Sequence, residues 1–243
     1  MARACSALCG TPVIRHVICL FMFAPPVIWK NAPRAKRLSL RIDIQSKAVV
    51  ITLPPRASRK QGIALLHSQA HWISEALAAL PASALERHHV LLHGRFYRLQ
   101  HSTSNETTLT ADALLLGGEC FDDKQRLLKN FVHQKAKVTL PALIEHYSRI
   151  MGQKPQKITL RDTKSRWGSC TRQGRLMLNW RLIMAPDDIA RYVIVHELAH
   201  MTHFNHSPAF WAHVDRFCPD GKKGRLKAEK YLHQNGILLM RMV

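Results

Sequence analysis

The segment Asp187–His200, DDIARYVIVHELAH, constrains this chain more than any other stretch. Pro186 followed by two acids is a helix opening, with carboxylates in the first turn where the helix dipole favours them. His196 and His200 are four residues apart and therefore share one helical face. Two imidazoles so placed hold one zinc ion. Glu197 lies beside them, within reach of a water at the metal without being a ligand, which is the H-E-x-x-H arrangement of zinc hydrolases. Between Tyr192 and Thr202, Glu197 is the only formally charged side chain besides the histidines. The neighbours Val193, Ile194, Val195, Leu198 and Ala199 are apolar on nearly every side, so the helix is predicted to be buried. A buried carboxylate is costly without a partner, and a metal site supplies one.

A catalytic zinc site takes three protein ligands and leaves a fourth position open. His203 lies three residues after His200 on the same helical face. His206 follows a Phe204-Asn205 break and precedes Ser207 and Pro208, a good N-cap and first helical residue. Three ligands from one face of one straight helix converge poorly on a tetrahedral ion. The geometry therefore favours His206, on a loop folding back toward the first helix, over His203; Asp215 is a distant carboxylate alternative. The chain carries 15 histidines, so histidines that fall on one helix by accident are the bland alternative. The apolar helix and the downstream His206 argue against it.

Composition narrows the setting. With 243 residues, 47% of them apolar, the chain has enough material for one large domain or two small ones. The 36 Lys and Arg against 16 Asp and Glu give a formal charge of +20, which attracts polyanions such as nucleic acid, nucleotides or anionic surfaces. The densest basic stretch is Lys222, Lys223, Arg225, Lys227 and Lys230, countered by Glu229. Six cysteines form no C-x-x-C pair and are neither a disulfide framework nor a zinc site. A reducing compartment and a cytoplasmic location are expected. The apolar run Val17–Ala24 is too short to span a bilayer. Residues 1–24 read as an extension outside the fold, either an unstructured leader or the product of a mis-assigned start, rather than a signal peptide.

The remaining pattern is α+β. Leu38–Ile42 and Ala48–Leu53 read as a hairpin around Gln45-Ser46-Lys47. Ser58 with Gln61 is a capping box opening a helix that keeps its stripe until Pro81. Val90–Leu99 reads as a strand pair around Gly94, and Leu109–Leu116 as a further strand. From Asp122 to Gly152 the period becomes helical, with Pro141 expected to kink or split the helix. Lys157–Arg161 is a short strand, and Arg166–Cys170 with Arg175–Trp180 a hairpin closed by Thr171–Gly174. A small N-terminal β-rich region (25–118) followed by a metal-binding domain (119–243) is the expected organisation.

The stretches Arg166-Trp167-Gly168-Ser169-Cys170, Leu178-Asn179-Trp180-Arg181-Leu182 and HELAHMTHFNHSPAFW (His196–Trp211) resemble the YgjP-like metallopeptidase family, which is related to the SprT-like zinc proteases. The resemblance runs from about residue 25 to 235. It implies a zincin-like metallopeptidase domain with the HExxH helix packed on a small sheet, Zn2+ as cofactor, His196, His200 and His206 as its ligands, and Glu197 as the catalytic glutamate.

On these grounds the expected chemistry is metal-assisted hydrolysis of a peptide or protein substrate, with Glu197 as general base. His203, His213 and Arg166 are candidates for stabilising the transition state or supporting the ligands. A substrate segment is expected along an exposed edge of the Arg175–Trp180 strand. Trp167 and Trp180 read as core, and Cys170 as a small buried residue rather than a nucleophile. Three rivals stand beside this reading: hydrolysis of nucleotide phosphoanhydrides, a nucleic-acid-associated protease docking through Lys222–Lys230, and a basic binding module with zinc. No Gly-rich phosphate loop supports the first, and a purely structural zinc has no use for Glu197. No integral membrane association is expected, and the oligomeric state is left open.

Overall fold

The computed structural model describes residues 25–243 apart from Asn105. The readings attached to residues 1–24 lie outside the described residues. The chain divides into two compact units, the first ending at Ala79 and the second running from Leu80 to Val243.

In the first unit the predicted hairpin forms, with β2 (Ser39–Asp43) antiparallel to β3 (Ala48–Leu53). Its glycine-free turn is completed by Lys47, which adopts φ 54°. A strand not evident in the sequence, β1 (Val27–Asn31), pairs parallel to the other edge of β3. It is mostly exposed, so it carries no apolar alternation. The capping box at Ser58 and Gln61 is present in both directions. The helix it opens is interrupted, however. α1 (Arg59–Ser68) ends at Gln69, whose φ of −106° and ψ of 11° leave the helical region, and α2 (Ala70–Ala78) restarts immediately. Val49, Ile51 and Leu53 of β3 pack with Ile73 in a small core of this unit.

The second unit is a mixed α+β assembly. A four-stranded sheet has the order β4 (His89–Leu92), β5 (Arg95–His101), β7 (Ala113–Leu116), β6 (Thr108–Leu109). The segment expected as one strand over 109–116 is thus a pair folded on itself. The short helix α3 (Ala84–Arg87), with its own Ser83–Glu86 capping box, precedes it. α4 (Phe121–Ile150) runs 30 residues straight through Pro141 and is not split. Its stripe Leu128, Val132, Ala136, Leu140, Ile144 and Tyr147 is buried on both sides of the proline, and this packing outweighs the hydrogen bond that Pro141 cannot donate.

A second small sheet, ordered β8 (Lys157–Arg161), β10 (Arg175–Asn179), β9 (Gly168–Cys170), follows. The β9–β10 hairpin closes through Gly174 at φ 70°. After β10 a 3-10 turn (Trp180–Met184) leads into α5 (Asp187–Ala199), then α6 (Pro208–Phe217) and α7 (Gly221–Met242). Residues 84–116 and the helices from α4 to α7 share one hydrophobic core. Among the described residues no helix is long and apolar enough to cross a membrane.

Candidate metal centre

α5 is buried along most of its length, from Ile189 to Ala199. Its start is held by the β4–β5 turn. His93 and Gly94 both take positive φ there, 50° and 75°, as a two-residue hairpin requires. Their N–H groups donate to the carbonyls of Ile183 and Met184, at 2.9 and 3.1 Å. His93 Nδ1 meets Asp187 Oδ1 at 2.7 Å. A Cβ at position 94 would come within 2.8 Å of Pro186, so glycine is required both for the turn and for the approach. Pro186 is the N-cap rather than the first helical residue.

The helix ends at Ala199, one residue before the second histidine of the motif. The chain turns there, with the N–H groups of Thr202 and His203 both reaching the carbonyl of Ala199. Four residues after His203, Ser207 accepts from the Phe210 N–H and Pro208 opens α6, as expected from the sequence. The intervening loop folds His206 back over the end of α5.

The ligand atoms of His196, His200 and His206 lie within 4.8 Å of one another, with the Nε2 atoms of His196 and His206 3.3 Å apart. The outer nitrogens are occupied. His200 Nδ1 is 3.1 Å from the backbone carbonyl of His203. Since a carbonyl only accepts, Nδ1 carries the proton and the Nε2 lone pair of His200 is free. His196 Nδ1 lies 3.4 Å from the Tyr192 hydroxyl, which donates to Glu229 Oε1 at 3.1 Å. Glu229 also accepts from Arg225 Nη1, and Arg225 Nε donates to Asp215 at 2.6 Å. Arg225 stacks on Trp211, which in turn stacks on His206 with ring centroids 5.4 Å apart. One half-buried network thus reaches two of the three imidazoles from behind.

Burial, followed by the positive charge that His200, His206 and Arg225 would place nearby, holds His196 down at about 3. Burial first also lowers His200. Three imidazoles converging at this range fit a divalent cation, and zinc in particular, whose usual donors they are.

Glu197 is 7% exposed and lies beside Gly168 of β9. A Cβ at residue 168 would stand 2.5 Å from Glu197 Cγ and 2.6 Å from Oε1, which gives the glycine of the Trp-Gly-Ser-Cys stretch its physical reason. Burial pushes the Glu197 carboxyl up to about 7, with the charge of Arg166 pulling the other way. His196, Glu197 and His200 open onto a polar cleft of about 580 Å3, also lined by Arg166, Gly168, Ser169 and Phe204.

The other sequence candidates separate clearly. Arg166 lines the cleft. His203 and His213 pair with each other, ring centroids 5.5 Å apart, and line neither the cleft nor the three-histidine cluster. His203 left the shared face because the helix ended before it, and it contributes its carbonyl instead. Asp215 is engaged by Arg225. Cys170 lines the cleft, but burial and Glu197 raise its thiol to about 11, far from a nucleophile at neutral pH. Trp180 is buried and Trp167 packs on the core. The Arg175–Trp180 edge expected to receive substrate does not exist, since β10 is the central strand, paired on both sides; the edges of this sheet belong to β8 and β9. Within the Lys222–Lys230 stretch, Arg225 is buried in the network above and Lys227 pairs with Asp188 at 2.7 Å, while Lys222, Lys223 and Lys230 are exposed. Tyr192 and Glu229 were not singled out by their sequence. Tyr192 stands four residues before His196, a spacing that signals one shared helical face, whereas Glu229 carries no local signal.

An α+β fold presenting three histidines beside a buried glutamate in an open polar cleft defines the class of metal-dependent hydrolases. The family model for the YgjP-like, metallopeptidase domain matches residues 36–230, and the chain belongs to this family. Among solved structures, the metallopeptidase zymogen of Pyrococcus abyssi abylysin is similar at 24% identity, over 43% of this chain and 100% of that one, with a TM-score of 0.36. No curated protein matches the chain.

Proposed function

We propose that the protein is a zinc metallopeptidase in which His196, His200 and His206 hold the ion and Glu197 is the general base. The observation that carries this reading is the convergence of one ligand nitrogen from each of three imidazoles within 4.8 Å, two of the three residues lining the cleft that Glu197 also lines. When bound, zinc supplies Lewis acidity, polarising the scissile carbonyl and acidifying water.

The protein's own groups do the rest. Glu197 takes the proton of the attacking water and returns it to the leaving amine. Its raised pKa suits both transfers. Gly168 leaves the space in which its carboxylate turns toward the cleft. Arg166 offers positive charge to the developing oxyanion. The Tyr192–Glu229 pair fixes the orientation of His196 and keeps its proton on Nδ1. An extended substrate adds to the free edge of β9, beside Glu197, where backbone hydrogen bonds bind any sequence and the cleft selects side chains. The membership of a metallopeptidase family supports a peptide or protein substrate over a nucleotide.

The test is metal content and turnover measured together. The parent chain should carry about one zinc and lose it in His196→Ala. Glu197→Gln should keep the zinc and cleave an unstructured protein substrate about 100-fold more slowly or worse. Nucleoside triphosphates are assayed alongside: turnover of these alone, with the same Glu197 dependence, would replace peptide hydrolysis by phosphoanhydride hydrolysis. Turnover unaffected by Glu197→Gln sinks both.

A further inference from the structure

Net positive charge is denser along the first unit than along the second, because acids are scarce there. Residues 25–79 hold nine Lys and Arg against two acids, Asp43 and Glu75. Asp43 is buried, and Glu75 is engaged by His71. Lys30, Arg34, Lys36, Arg37, Arg41, Arg56, Arg59 and Lys60 are all exposed. Among the described residues none of the eight is paired with a carboxylate. Arg59 lies over the ring of Trp29, at 4.9 Å. In the second unit some of the cations do meet an acid, among them Arg98, Arg126, Arg149, Arg181, Arg225, Lys227 and Arg241. Unpaired cations in such density repel one another, a cost that an anionic partner removes.

The cations also have a shape to act through. Arg34, Lys36 and Arg56 line a cleft of about 690 Å3 between two chain reversals. One reversal is closed by the Ala35 N–H donating to Ala32, the other by the Ala57 N–H donating to Pro54. Pro33, Pro54 and Pro55 stiffen the walls. Leu38, packed on the core of the unit, forms part of the lining.

We infer that this cleft binds single-stranded nucleic acid through its phosphates. Three features favour that partner. Five of the eight cations are arginines, whose planar forks grip phosphate oxygens in pairs. The surface is concave, so a strand enters it where a flat bilayer cannot. The cleft carries cations with no acidic side chain in its lining, so its field attracts a phosphate backbone whatever the sequence. The inference is independent of the histidine site.

The test is binding of a fluorescent 20-nucleotide single strand, DNA and RNA, to the full chain, by anisotropy across a salt series. Binding should weaken linearly in log affinity against log salt. The triple variant Arg34→Ala/Lys36→Ala/Arg56→Ala should bind about tenfold more weakly or worse, and its salt slope should drop by about 2, the share of three phosphate contacts on a single strand. Lys222→Ala/Lys223→Ala/Lys230→Ala removes the same charge from exposed positions of the other unit and should shift affinity far less. Chelator-treated protein should bind as the parent does, which separates this site from the metal reading. Equal losses in the two triple variants would reduce the effect to net charge and overturn the cleft. Tighter binding to duplex of the same length, or binding to phosphatidylserine vesicles without binding to either strand, would overturn the single-strand assignment.

Discussion

Glu197 occupies the space a side chain at Gly168 would need, and each residue makes a distinct prediction. The Glu197 carboxyl lies at about 7 in the folded chain against an ordinary 4.5. A folded-state pKa raised in this way gives a stability contribution that is complete below about pH 4.5 and lost as pH rises through about 7. Glu197→Gln removes that titration. In chelated protein the variant should therefore gain on the parent as pH climbs from 4.5 to 8, by at most about 3 kcal/mol, read from denaturant unfolding at each pH. A stability difference that does not change across that window would show that the carboxyl is not raised. Gly168→Ala places a methyl where the Glu197 carboxyl now lies. It should keep zinc and slow turnover by about 100-fold, as displacement of a reacting group by an ångström does. Parent-like kinetics in that variant would mean that Glu197 has room elsewhere. The H-E-x-x-H pair was legible residue by residue, because four-residue spacing on an apolar helix has few other uses. The need for glycine at 168 was not, because it depends on a side chain almost thirty positions away.

At the level of elements, the site is a helix end and a loop rather than a single helix. α5 stops before His200, so His203 turns away and His206 returns, and the cap at Ser207 holds that return. Behind them α7 supplies Glu229 and Arg225 to the Tyr192 hydroxyl and the Trp211 ring. Glu229→Gln removes the carboxylate that orients Tyr192 and partners Arg225. It should weaken zinc binding about 10-fold to 100-fold, the usual cost of losing a group that orients a ligand, measured by competition with a chromogenic chelator. Unchanged affinity would reduce the network to packing. The capping boxes and the β9–β10 turn were readable because their chemistry is local. The break at Gln69 and the continuity through Pro141 were not: one comes from a helix changing direction, the other from burial on both sides of the proline.

Over the whole molecule the second unit depends on a buried cation. Arg181 is fully buried, lies over the Trp180 ring, pairs with Asp162 and donates to the carbonyl of Val243 at 2.6 Å. It ties the 3-10 turn before α5 to the chain terminus. Desolvation pulls its pKa down, and Asp162 restores part of the loss. Asp162→Asn leaves that charge buried with less compensation and should cost about 3 kcal/mol or more, visible as a lower denaturation midpoint. A midpoint like the parent's would mean that water or the Val243 oxygen compensates Arg181 without Asp162.

By itself the sequence determined what local chemistry can encode: the α+β class, the metal-binding motif, the cap that returns His206, the hairpins and the overall positive charge. It did so because helical period, capping and turn residues act within a few positions of one another. The tertiary structure alone decided which strand of the second small sheet is central and which cations are already paired. It also decided that Arg166 rather than His203 or His213 lines the cleft, and that Glu229 reaches Tyr192. Those outcomes rest on contacts between residues tens of positions apart, whose partners are chosen by how the core packs and not by any pattern along the chain.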